Sequence, residues 1–315
     1  MRIVFMGTPD FAVPTLDALV AAGHEVLCVV AQPDRPKGRG KQLQSPDTIV
    51  RARELGLPTR QPKAINQGPF RDWFTTLDFD VAVVVAYGRI LKPWHLQAPR
   101  RGCVNVHASL LPSYRGAAPV HRAVIDGQAT TGVCTMLMGE GLDEGDVLLC
   151  EQTDIGPDET TGELWARLSH MGARLLVQTL EGLSTMRPVP QDHAAATFAP
   201  PLSREDGRLD WSASARAVHD RVRGCNPAPG AWTPFRGDAL KLWRTRPGEG
   251  SGAPGEVLEV APRLVVACGQ GAVEVLEAQL PGGKRLPGGD LARGARLAVG
   301  ERLGGLGSDS EGHGA

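Results

Sequence analysis

Val81-Ala82-Val83-Val84-Val85-Ala86 is apolar throughout and mostly β-branched, and its reading decides the fold. A run with no polar alternation belongs to a strand covered on both faces, as the inner strands of parallel sheets are. It is also far short of the roughly 18 to 20 apolar residues that cross a bilayer. Working outward, Arg2 to Met6 reads as a strand that breaks at Gly7-Thr8-Pro9-Asp10. Phe11, Leu16, Leu19 and Val20 then recur at helical spacing, with Pro14 tolerated in the first turn. Glu25 to Ala31 is a second buried strand, and Ser45-Pro46-Asp47 opens a helix that stops at Leu55-Gly56. Beyond the deciding run come strands at Gly102–His107, Thr131–Met138 and Val147–Glu151, with a helix over Ala118–Ile125. Strands alternating with helices predict a doubly wound, mainly parallel α/β domain.

Leu164, Leu168, Met171, Leu175, Leu176 and Leu180 give a long amphipathic helix after an acidic start at Asp158-Glu159, and it closes the first domain. Residues 187–206 hold several Pro and Ala and no sustained period, which marks a linker. After one helix (Ser212–Arg223), short β-type runs at Lys241–Trp243, Gly255–Val260, Leu264–Ala267 and Val273–Ala278 alternate with Gly/Pro turns and predict a small β-barrel. The expected organisation is a catalytic domain over 1–188, a linker over 189–207, a barrel over 208–303 and a disordered tail over 304–315, with disorder setting in from about Gly300. The length of 315 residues fits two such domains. With 34 Lys+Arg against 35 Asp+Glu the chain has no overall basic coat, so an anionic partner must be met by a local patch. The N-terminus meets Gly7 and Pro9 before a secretory apolar region can form, and the six cysteines (28, 103, 134, 150, 225, 268) include no C-x-x-C pair. They read as reduced and mostly buried, so a cytoplasmic protein is expected.

Two stretches can carry chemistry. Asn105-Val106-His107-Ala108-Ser109-Leu110-Leu111-Pro112-Ser113-Tyr114-Arg115-Gly116 begins at the carboxyl end of an inner strand, where open α/β sheets bind ligands. Strand side chains alternate, so Asn105 and His107 share a face, and an amide and an imidazole converge on one substrate atom. That pair suits an oxyanion. Gly139-Glu140-Gly141-Leu142-Asp143-Glu144-Gly145-Asp146 is a Gly-rich acidic turn before another strand, and an Asp from it beside His107 orients the ring and favours imidazolium. The Gly7 turn lacks the further glycines of a dinucleotide loop, which argues against NAD. A Ser elbow, H-E-x-x-H and a Walker sequence are all missing, so covalent, zinc-assisted and phosphate-loop mechanisms lack their usual residues.

The chain carries Gly7-Thr8-Pro9-Asp10-Phe11; Gln32-Pro33-Asp34-Arg35-Pro36-Lys37-Gly38-Arg39-Gly40-Lys41; Val85-Ala86-Tyr87-Gly88; and Asn105-Val106-His107 with Ser109-Leu110-Leu111-Pro112 and Arg115-Gly116. It also carries Gly141-Leu142-Asp143-Glu144-Gly145-Asp146 and Asp210-Trp211-Ser212. In that order these motifs resemble the methionyl-tRNA formyltransferase family over nearly the whole chain. The resemblance implies a Rossmann-like formyltransferase domain followed by an OB-like barrel. It implies formyl transfer from 10-formyltetrahydrofolate, without a metal, to the α-amino group of methionine on initiator tRNA. By that similarity Asn105, His107 and Asp143 are catalytic: the first two hold the formyl oxygen as it becomes an oxyanion, and Asp143 holds and charges His107. The folate is expected against Val85, Ala86, Tyr87, Gly88, Arg89 and Ile90 and against Ser109, Leu110, Leu111 and Pro112. The amine is expected to lose its proton through a water near Asp143.

Asp34 to Lys41 holds Arg35, Lys37, Arg39 and Lys41 against one acid, a local net of +3 interrupted by Pro36, Gly38 and Gly40. Beside an α/β cleft such a loop suits a tRNA acceptor stem, and the family's tRNA-reading insertion matches here with Arg39 at its centre. From Arg208 to Arg302 there are 14 Lys and Arg against 10 acids, a modest second basic surface. Thr197-Phe198-Ala199-Pro200-Pro201 departs from the family, which commonly places a lysine where Pro201 stands. The nearest rival, a formyltransferase acting on a sugar amine or a purine precursor, shares the catalytic set but needs neither basic feature. A silent tRNA-binding protein has no reason to present the set at all. A monomer is expected, with no membrane partner.

Overall fold

The computed structural model describes residues 1–37 and 42–304; Arg39, Lys41 and the expected tail from 305 lie outside the described residues. The chain divides into two units. Among the described residues the first comprises 1–119, 130–154 and 165–200, and the second 120–129, 155–164 and 201–304. Two segments inside the span expected for the catalytic domain therefore pack with the C-terminal unit.

The first unit is built on a seven-stranded sheet. In chain order its strands are β1 (Arg2–Gly7) and β2 (Glu25–Val30), with α1 (Val13–Ala21) between them. A two-stranded ribbon of β3 (Arg35–Lys37) and β4 (Gln42–Gln44) stands apart from the sheet and is followed by α2 (Asp47–Glu54), β5 (Thr59–Arg60) and α3 (Pro69–Thr76). Then come β6 (Val81–Val85), α4 (Pro93–Gln97) and β7 (Cys103–His107). After α5 (Pro119–Ile125), strands β8 (Thr130–Leu137) and β9 (Val147–Asp154) complete the sheet, and α6 (Thr161–Gly182) follows.

The strand order is β5-β2-β1-β6-β7-β8-β9. The five strands from β5 to β7 pair in parallel, and β8 and β9 run antiparallel on the far edge. The expected mainly parallel architecture is present, and its chemistry follows from the sequence. Every residue of Val81–Val85 is buried, as a strand with helices on both faces requires. An aromatic cluster of Phe70, Phe74 and Phe79 packs with Tyr87 and Leu91 against Val4, Met6 and Val84.

The second unit contains α7 (Ala215–Gly224), whose N-cap Ser214 side chain accepts from the Ala217 N–H, and then an antiparallel sheet. Its strands are β10 (Ala231–Phe235), β11 (Asp238–Gly248), β12 (Val257–Glu259), β13 (Leu264–Ala267), β14 (Ala272–Gln279) and β15 (Leu286–Pro287), with α8 (Gly288–Gly294) at the end. The path β10-β11-β14-β13-β12, with β15 on β14, is open: β10 and β12 end it without pairing with each other. Leu240, Leu242, Val257, Leu264, Val266, Val273 and Val275 form its core with Val218 and Val222 of α7.

Two expectations need correction. Cys134 and Cys150 are a directly opposed pair on β8 and β9 and are joined by a disulfide, because antiparallel register brings the two side chains onto one face. The other four cysteines are free and buried. Disorder does not begin at Gly300 either: Leu303 is buried, and the Gly304 N–H donates to the Pro234 carbonyl.

Candidate active site

Asn105 and His107 leave the same face of β7 as its strand ends, and both are almost fully buried, at 8% and 6% exposure. Among the described residues the Asn105 side-chain amide makes no hydrogen bond to protein, so its donors are available to a ligand. His107 is tied at one nitrogen. Its Nε2 lies 2.9 Å from the Tyr114 carbonyl oxygen, and a carbonyl only accepts, so this nitrogen carries the hydrogen. Nδ1 then faces Asp143, whose Oδ2 is 3.6 Å away. The same Oδ2 accepts from the Gly116 N–H at 2.8 Å. The fold thus brings Asp143 beside His107, with Asn105 on the same face of β7 as His107.

The local backbone explains how the acid gets there. Asp143 adopts φ 50 and Tyr114 φ 58, left-handed conformations that are uncommon for residues with a side chain, though less so for Asp than for Tyr. Gly116 has φ 121, and a Cβ on it would stand 2.8 Å from the Ala199 carbonyl oxygen, so glycine lets the segment after Ala196 lie flat against the loop. That segment fastens the loop by backbone. The Arg115 N–H donates to Thr197 O at 2.9 Å, the Ala199 N–H to Arg115 O at 2.7 Å and the Ala118 N–H to Ala199 O at 3.1 Å. The Thr197 hydroxyl accepts from the Tyr114 N–H at 2.8 Å.

Sequence reasoning passed over two residues that the site uses. Arg115 is buried, and its Nε and Nη2 both donate to Gln191 Oε1, at 3.0 and 2.7 Å. The Gln191 amide nitrogen donates in turn to the carbonyls of Asp143 and Gly145. Arg115 belongs to the Arg115-Gly116 motif, whose resemblance implies no role for it. Gln191 lies in the aperiodic stretch read as linker, and its one signal was being a lone amide among prolines and small residues.

The expected folate strip is a turn in which Val85 and Tyr87 are buried while Ala86, Gly88 and Ile90 face outward, with Ala86 at φ 46 and Gly88 at φ 76. Gln32 already donates to the Tyr87 and Gly88 carbonyls at 3.1 and 3.2 Å, so those two oxygens are engaged within the protein. The Ser109 hydroxyl is buried and donates to Ser113 O at 2.6 Å, which leaves Leu110, Leu111 and Pro112 as the partly exposed part of that loop. Burial pushes the Tyr87 phenol up to about 12. Arg35 is exposed on the ribbon with Lys37 two residues on in the same strand, while Arg39 and Lys41 lie outside the described residues. A separate cavity of about 530 Å³ opens beside β5, lined by Arg60, Lys63, Gln67 and Phe70, and none of the catalytic candidates lines it. Among the described residues no group of three or more His, Cys, Asp or Glu is arranged to hold a metal.

Residues 1–180 match the formyl transferase family model and residues 201–296 match the formyl transferase C-terminal domain model. The methionyl-tRNA formyltransferase of Cereibacter sphaeroides strain KD131 is 50% identical over 282 residues, which cover 90% of this chain and 92% of that protein. The chain belongs to the methionyl-tRNA formyltransferase family. The Heliobacterium modesticaldum member is likewise 50% identical, over 299 residues covering 91% and 94% of the two chains. As a formyltransferase it is a one-carbon transferase whose donor is formyl-tetrahydrofolate. Solved structures share the fold at low identity. Aquifex aeolicus HypX in complex with tetrahydrofolic acid aligns with a TM-score of 0.64 at 20% identity, over 95% of this chain and 48% of that one. An N-formyltransferase from Helicobacter canadensis, in complex with folinic acid and dTDP-3-aminofucose, aligns at 0.68 and 13% identity, over 89% and 99%.

Proposed function

We propose that this protein transfers the formyl group of 10-formyltetrahydrofolate to the α-amino group of methionine carried on initiator tRNA, acting in the cytoplasm at the start of translation. The observation that carries the reading is the Asp143 carboxylate beside the His107 ring at the carboxyl end of β7, with the free Asn105 amide on the same strand face. The amine nitrogen attacks the formyl carbon, forming the new C–N bond and a tetrahedral intermediate with negative charge on the former carbonyl oxygen. Asn105 donates to that oxygen from its amide, and His107 from Nδ1, since Nε2 is held by Tyr114. Donors fixed in place before the charge develops lower the barrier by on the order of 3 kcal/mol each. Asp143 orients the ring and balances the positive charge it carries while donating. The amine gives up its proton through a water near Asp143, and the intermediate collapses by breaking the bond to the folate nitrogen, which takes up a proton as it leaves.

The folate lies against the outward turn at Ala86, Gly88 and Ile90 and the Leu110–Pro112 loop. The charged partner meets the basic segment around Arg35, Lys37, Arg39 and Lys41, and a C-terminal OB-like barrel adds phosphate contacts. Formylation of methionyl initiator tRNA with 10-formyltetrahydrofolate tests the reading, with a sugar nucleotide amine as the control acceptor. Turnover on the tRNA with none on the sugar amine is expected, and the reverse preference overturns it.

A further inference from the structure

We propose that Gln191, clamped by Arg115, is a positioning residue that sets the place of Asp143; this rests on the reading of Asp143 as the acid that orients His107. The loop bearing Asp143 has glycine at 139, 141 and 145, and Asp143 itself sits at φ 50. A glycine-rich loop with a left-handed aspartate at its centre has little of its own to hold one geometry. What holds it is outside the loop. Gln191 Nε2 donates to Asp143 O at 2.9 Å and to Gly145 O at 2.7 Å, so each amide hydrogen has one carbonyl.

The orientation of that amide is fixed by chemistry. A guanidinium has donors and no acceptor, so the Gln191 oxygen must face Arg115 Nε and Nη2 and the nitrogen must face the loop. Arg115 is 4% exposed, and among the described residues no carboxylate pairs with it; its Nη1 lies 3.3 Å from His193 Nδ1. A buried cation is better compensated by a carboxylate than by an amide. A carboxylate, however, cannot donate to the two carbonyls. Glutamine is the side chain that accepts from the arginine on one side and donates to the loop on the other. The ring of contacts closes through the neighbour of Arg115, since the Gly116 N–H holds Asp143 Oδ2 at 2.8 Å. Asp143 is gripped by its backbone from Gln191 and by its carboxylate from Gly116.

Gln191→Glu separates positioning from mere support of Arg115. It keeps an acceptor for the guanidinium and adds charge compensation, but it replaces the two donors with an oxygen facing two carbonyls. Steady-state formylation by Gln191→Glu, Gln191→Ala and Asp143→Asn is measured beside thermal unfolding. The expected result is a kcat for Gln191→Glu lowered roughly 10- to 100-fold, the scale of a small misplacement of a reacting group, with both KM values within about twofold and Tm not reduced. Gln191→Ala is expected to lose similar kcat and also to lower Tm. A Gln191→Glu variant with wild-type kcat, or one altered only in KM, overturns the proposal while an inactive Asp143→Asn leaves the catalytic reading standing. Near-normal turnover by Asp143→Asn removes that reading and the proposal with it. Should Gln191→Glu fail to fold, Arg115→Lys decides: a single ammonium no longer fixes the amide, kcat should fall at least fivefold at unchanged KM, and an unchanged kcat overturns the proposal.

Discussion

Two side chains two residues apart on one strand are held differently because their partners differ. Asn105 presents an amide with no protein partner among the described residues, whereas His107 is fixed by the Tyr114 carbonyl at Nε2 and, in the proposed mechanism, donates from Nδ1. Asn105→Ala and His107→Ala should each lower kcat by roughly 10²-fold or more, with the KM for folate little changed, since the lost hydrogen bond forms fully only in the transition state. Near-normal turnover in both variants would remove the oxyanion role. Much of this was legible before the structure. Alternation along a strand puts residues 105 and 107 on one face whatever the tertiary context, and the position at a strand's carboxyl end follows from the α/β pattern. Gln191 was not legible, because its contacts lie 46, 48 and 76 residues away in sequence and no local period connects them.

Short elements show the same limit in the opposite sense. The buried strands announced themselves by β-branched runs, while α3, α4 and α8, of 8, 5 and 7 residues, are short enough for a helical period to be missed, although α2 and α5 of similar length were legible. In β10, Pro234 hid a strand that tolerates it at the sheet edge. The first turn of α4 holds a buried histidine. His95 Nδ1 accepts the Lys92 N–H at 3.0 Å, and burial pushes the ring down to about 4. The unfolded chain binds a proton on this histidine below about 6.5 and the folded one does not until about 4. The contribution is therefore complete above pH 6.5 and declines as the pH falls from there to about 4, so His95→Gln should flatten Tm across that window. An unchanged slope would assign the pH dependence elsewhere. The basic loop belongs to this scale too. Neutralising Lys37 or Lys41 should weaken tRNA binding and reduce its salt slope by about 0.9 for each phosphate that the variant leaves unneutralised. Arg39→Ala should instead cost about 1 to 3 kcal/mol in kcat/KM on initiator tRNA and erode its preference over an acceptor-stem mutant. An equal loss on both tRNAs would make Arg39 a phosphate clamp.

Across the whole molecule, the discontinuous division of the chain has consequences for acid stability. Asp206, at the end of the stretch read as linker, pairs with Arg122 of α5 at 2.7 Å, a contact inside the second unit. The Ser203 N–H, then its hydroxyl and Arg122, hold this carboxyl down at about 2. A depressed carboxyl stabilises the fold above its unfolded pKa of about 3.8 and ceases to do so as the pH falls toward 2. Asp206→Asn should lower Tm at neutral pH and converge with the parent near pH 2; curves that stay parallel down to pH 2 would exclude the linkage. Arg244 with Glu163 and Arg223 with Asp220 are further ion pairs inside the same unit.

That division also bears on the order in which the protein is made. Residues 120–129 and 155–164 leave the ribosome well before the strands they pack with, so Ile125 must wait for its place against Gly224, and Thr161 for the Gly224 carbonyl its hydroxyl will bond. A chain stopped at residue 200 carries both segments without their counterparts, which makes the seam between the two family models a poor place to cut. An excised amino-terminal half would be born with two orphaned pieces of its neighbour, and it is the nascent chain, more than the finished enzyme, that must keep them from finding the wrong company.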